Sequence, residues 1–194
     1  MRYYLFVNLF ILSVTLVSCD PERVKYTKEL KREMADMKIK RITNADMVET
    51  VNTFGEKISL TVQKELTTRL TDTKDPVQRA KLCQLQSLPR TKAITESYGV
   101  SIQLLGAADV QNKTLNPKER EILDAYLYNA EQKKSQISNI QKVNDTLFIY
   151  NAAVPTENVI CEACFGTQKT PLAVWRIAFP KREVVRRAKP STKK

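Results

Sequence analysis

Three cysteines carry most of the chemistry this chain could do. Cys161 and Cys164 form a C-x-x-C pair inside the stretch NVICEACFGTQKTPLAVWRIAFP, residues 158–180, and Cys83 stands well upstream of them. In an exported protein a C-x-x-C-H string marks haem attachment, with two thioethers to the porphyrin and the adjacent imidazole on iron. Here the fifth position is Phe165, and the sequence holds no histidine. The same two thiols could instead pair with each other, which would leave Cys83 alone. A third use, thiol–disulfide exchange, needs an attacking sulfur whose pKa is lowered by a helix N-terminus or a cation. Cys161 and Cys164 are read here as delivered by a loop, Pro155 to Val159, ahead of an apolar strand, with Glu162 beside them to raise a thiol pKa. Without histidine there is no His-based triad or zinc ligand set, and four glycines leave no phosphate-cradling loop. The residues therefore point to a non-catalytic protein.

The N-terminus sets the compartment in which those sulfurs work. Arg2 gives a positive start, Leu5 to Val17 is a short apolar core, and Leu16-Val17-Ser18-Cys19 resembles the lipobox of bacterial lipoproteins. That core is shorter than the roughly 20 residues a membrane span needs, so residues 1–18 read as a cleaved signal peptide. Cys19 then carries the lipid, and the mature chain is anchored in the cell envelope facing the periplasm. Such a compartment permits disulfides.

Charge is distributed unevenly around the chain's net +11. Residues 181–194 hold seven Lys or Arg against Glu183, residues 20–42 hold eight basic against five acidic, and residues 43–180 are close to balanced. A basic chain invites a nucleic-acid reading. With the excess on the two ends and an export signal in front, the partner expected instead is the membrane. Residues 19–42 read as a charged tether rich in helix formers, and 181–194 as a disordered basic tail that can touch anionic headgroups.

The domain between them, residues 43–180, must position the cysteines. Met47, Val51, Phe54, Ile58, Val62, Leu66 and Leu70 recur at three- and four-residue spacing, a helical stripe with Asn44 as its cap. Asp75-Pro76 opens a second helix through Cys83 and Leu85, which Pro89 ends or kinks before a short turn to Tyr98 and a stop at Gly99. Val100 to Leu105 reads as a strand, Gly106 to Asn116 as a loop, and Asn116-Pro117 as the start of a helix running to about Lys134. Gln136 to Val143 and Thr146 to Val154 flank the turn signal Asn144-Asp145, so a hairpin is expected there. Leu172 to Phe179 closes the sheet, with Trp175 as a buried anchor. Helices first and antiparallel strands later give an α+β fold.

The order of a long amphipathic helix, a cysteine-bearing helix (AKLCQLQSLPRTKAITESYGVSIQLL), a loop into NPKEREIL, a hairpin and then CEACFG before a short strand resembles the bacterial family of PAS-like c-type haem domains. The likeness spans roughly residues 44 to 180. It implies an antiparallel PAS-like sheet packed against the long N-terminal helices, haem c attached at Cys161 and Cys164, and a thiolate from Cys83 as axial ligand to the haem iron. The family's second axial ligand falls on Phe165. The expectation is an exported sensory or redox domain that has lost regular haem ligation. One alternative is an atypical haem-binding redox or gas sensor with Cys83 as its strong ligand, and another is a thiol–disulfide oxidoreductase using Cys161 and Cys164. By the same analogy, pairing through the N-terminal helices would give a homodimer.

Overall fold

A capping box sets the start of the longest element. Thr43 Oγ1 accepts from the Asp46 amide at 3.1 Å, and the Asp46 carboxylate accepts from the Thr43 amide at 2.8 Å. Two orphan donors are thereby satisfied, which places the cap one residue before Asn44. The computed structural model describes residues 42–190 and, upstream, Lys28 by itself. The signal peptide, Cys19 and the rest of the tether lie outside the described residues, as do residues 191–194.

Helix α1 is Asn44–Asp72, and the spacing read in the sequence becomes its buried stripe: Met47, Val51, Ile58, Val62, Leu66 and Leu70. Gly55 interrupts that stripe because the ring of Tyr150 lies flat against it; a Cβ there would collide with three ring carbons. Gly55→Ala therefore sets a helix-propensity gain of about 1 kcal/mol against overpacking of about 1–3 kcal/mol. Tyr150 is only 3% exposed and has little room to yield, so the clash prevails. Chemical denaturation should show a net loss of up to about 2 kcal/mol, and a stabilised variant would contradict this packing.

Helix α2 is Pro76–Cys83, capped by Asp75, which accepts from the amides of Val77 and Gln78. It ends sooner than the sequence suggests, since Leu85 adopts a left-handed conformation with φ 62°. Pro89 begins a helix here instead of ending one. As the first residue of α3, Pro89–Tyr98, it lacks an N–H where none is needed. The cap comes from α1: the Glu65 carboxylate accepts from the amides of Arg90 and Thr91 and from the Thr91 hydroxyl at 2.8–2.9 Å. Gly99, at φ 63°, stops α3 as its position suggests.

Strand β1 is Ser101–Leu105, followed by a 3-10 turn at Ala107–Gln111 and helix α4, Pro117–Glu131. Strands β2, Asn139–Asn144, and β3, Leu147–Ala153, form the expected hairpin, and β4, Val174–Pro180, completes the sheet. The order is β1-β4-β3-β2 with every pair antiparallel, so the last strand lies inside the sheet. Alternation along β4 then divides the interior. Trp175, Ile177 and Phe179 join Phe148, Tyr150 and the α1 stripe in the larger core. Val174 joins Leu105, Leu115, Leu123, Tyr126 and Leu172 in a smaller one. On the same side of β4 as Val174, Arg176 reaches Glu119 of α4 at 2.6 Å and Gln103 of β1 at 2.9 Å. The fold is α+β, as expected, and Trp175 is fully buried.

The segment expected as a disordered tail begins with a helix, α6, Lys181–Arg187. Its hold on the domain is specific. Val184 is 1% exposed, Arg187 donates to the Ser97 carbonyl at 2.8 Å, and its guanidinium lies over the Tyr98 ring. The hydrogen bond from Arg187, aided by the charges of Arg186 and Arg182, holds the Glu183 carboxyl below its usual range against the opposing effect of burial. Among the described residues, no helix is long and apolar enough to cross a membrane.

Candidate functional site

Asn158 organises the cysteine region. Its side-chain oxygen accepts from the Ile160 amide at 3.0 Å and from the Thr67 hydroxyl of α1 at 3.1 Å. The first bond caps helix α5, Val159–Phe165, and the second fixes its start on α1. The cysteine pair thus rides on a helix, not on a loop running into a strand. Val159 and Ile160 suit strands, which disguised it; Asn158 immediately before the apolar residues was the signal that could have revealed it.

On a helix, residues three apart project from neighbouring turns of one side. Cys164 meets Cys83 at the end of α2, and the two form a disulfide with Cα atoms 5.6 Å apart. This corrects the pairing of Cys161 with Cys164: the bond ties α5 to α2 across 81 residues, and Cys161 is the sulfur left as a thiol. Cys161 is 1% exposed, within the larger core, and its thiol lies 3.4 Å from the Pro155 carbonyl, to which it donates. Burial pushes its pKa up to about 11. That is the reverse of what an attacking thiol requires.

No protein-family model, curated protein or solved structure matches this chain. The site's chemistry is therefore argued from its own atoms. Haem held at Cys161 and Cys164 with Cys83 on iron needs three free sulfurs, whereas two of them are bonded to each other here. Phe165, where the resemblance would put an imidazole, packs its ring against the backbone of Gly106, leaving no space there for a Cβ. In this disulfide form the residues do not fit the group. Among the described residues, no set of three or more His, Cys, Asp or Glu could hold a metal ion.

The buried thiol gives the domain an alkaline weakness. Its proton is held in the folded state up to about pH 11 but is lost near the ordinary value of 9.0 once the chain unfolds. The resulting stabilisation is complete below about pH 9 and declines as pH rises toward 11. Tyr126 acts in the same direction, its hydroxyl raised by burial as it donates to the carbonyls of Ile137 and Asn151. Denaturant unfolding followed against pH should show stability falling over that window. Cys161→Ala should remove about 2 kcal/mol of the fall; an unchanged profile would show the thiol titrating normally.

Proposed function

We propose that the chain is an exported lipoprotein, anchored through Cys19 and facing the periplasm, whose PAS-like domain serves a non-catalytic sensory role without haem in its oxidised form. One observation carries this reading, the Cys83–Cys164 bond. A cross-link between distant elements suits an oxidising compartment, which agrees with the export signal. It also occupies the sulfur that would ligate iron and one of the two that would form thioethers. Support for the PAS-like part is coarser: an antiparallel sheet with a 29-residue helix packed on it is what the resemblance implies.

A second reading, a haem-binding redox or gas sensor, draws on one fact. The three sulfurs named by the resemblance do meet in one place, Cys83 bonded to Cys164 and Cys161 one turn from it. A visible spectrum of the exported, purified protein separates the two readings, paired with peptide mapping under non-reducing conditions. The proposed function expects no Soret absorption in oxidant or reductant and a peptide containing Cys83 linked to one containing Cys164. A Soret band with haem-positive staining would overturn it. The anchor is tested separately: Cys19→Ser should move the protein out of the membrane fraction, and unchanged fractionation would dispose of the lipid.

A further inference from the structure

The start of α1 and helix α6 meet at one end of the domain. Ile42, Thr43, Asn44 and Met47 line an open cleft of about 580 Å³ together with Lys181 and Val185. The chain upstream of Ile42 therefore joins the domain at the cleft that α6 borders. Residues 181–189 contain five basic side chains and one acidic, Glu183. That carboxylate is turned inward, its side chain 9% exposed, and receives ion pairs from Arg182, Arg186 and Arg187. The outward side keeps the cations: Arg182 and Arg186 are 88% and 64% exposed, Lys189 is exposed, and Val185 stands open between them at 42%. On the adjoining hairpin turn Asp145 is engaged by Lys142 at 2.8 Å and also feels the charge of Lys181, so it offsets Lys181 and leaves Arg182, Arg186 and Lys189 to make the face positive.

We propose that this face of α6 rests on an anionic bilayer surface, that of the membrane to which the chain is tethered. The choice of membrane rests on the lipoprotein reading above; the face itself rests on its charge and on its place beside the domain's first residue. Residues 19–41 can extend at most roughly 80 Å, so an anchored domain stays near its membrane and even weak attraction is felt repeatedly. Each basic residue near an anionic surface strengthens partition about fivefold. Two largely exposed arginines beside an open valine suit such a surface, whereas a domain facing bulk water gains nothing from concentrating them at the tethered end.

The purified full chain is mixed with vesicles of phosphatidylcholine alone, or of phosphatidylcholine with about one quarter phosphatidylglycerol, and sedimented. The quantity read is the ratio of the two partitions, which cancels any contribution of the anchor. The ratio should favour the anionic vesicles, fall with added salt, and drop about 30-fold when Arg182→Gln and Arg186→Gln are combined. Arg182→Gln with Lys189→Gln, which leaves Arg186 and Arg187 on Glu183, should give a similar drop and guards against loss of folding. A ratio unchanged by both double variants would overturn the proposal, and so would one that favours neither vesicle. Retention on phosphatidylcholine alone reads the anchor, so its absence would defeat the lipid reading while the ratio still reports on α6.

Discussion

Replacing Cys83 with Ser should lower the free energy of unfolding by about 4 kcal/mol. The bond it removes closes a loop between residues 81 apart, and the constraint that a cross-link places on the unfolded chain grows with the logarithm of that separation. Domains of this size are stable by about 5–15 kcal/mol, so the loss takes a large share of the total. The cross-link also joins α2 and α5, each short enough to depend on its neighbours for stability. Cys164→Ser should cost the same, and the double variant should cost no more than either, because all three remove one bond. Dithiothreitol should shift the wild-type denaturation midpoint by a similar amount and leave the midpoints of both serine variants in place. A wild-type midpoint indifferent to reductant would show that the bond does not form.

What the sequence could disclose follows the range of the forces involved. The α1 stripe and the β2–β3 hairpin are local patterns, set by helical period and by Asn144-Asp145, and both stand where the spacing puts them. Helix α3 was misjudged because its cap is not local: Glu65 comes from 25 residues upstream, and only the folded chain brings it to Arg90 and Thr91. The tail was misjudged for a similar reason. Composition alone makes residues 181–194 a solvated basic run, while burial of Val184 and the reach of Arg187 to Ser97 exist only after α3 is in place. Cysteine pairing is of the same kind, since three sulfurs allow three pairings and spacing does not choose among them. The sequence located the sulfurs; it could not place Phe165 on Gly106, a contact between residues 59 positions apart.

Glu119→Ala should be about as damaging as loss of the disulfide, because one carboxylate serves two elements. One oxygen accepts from the Asn116 amide at 3.1 Å, closing the capping box that starts α4. The other accepts from Arg176 Nε at 2.6 Å, linking α4 to the interior strand β4. The two side chains are 6% and 13% exposed, so this pair lies beyond the screening that makes surface ion pairs nearly neutral. Removing the acid strands the guanidinium over the smaller core with only the Gln103 side-chain oxygen Oε1 at 2.9 Å as a side-chain partner. An uncompensated buried charge costs about 3–5 kcal/mol, to which the lost cap adds up to about 1 kcal/mol. Glu119→Gln keeps one acceptor oxygen for one of the two donors and sets an N–H against the other, so it should recover only part of the loss. Combining Glu119→Leu with Arg176→Met should recover most of the loss, since well-packed apolar groups replace a buried pair at little cost. Denaturation midpoints of the single and double variants decide the matter. If Glu119→Ala costs under about 1 kcal/mol, the pair behaves as a solvated surface bridge, and α4 is held to the sheet mainly by its apolar side, Leu123 and Tyr126 foremost.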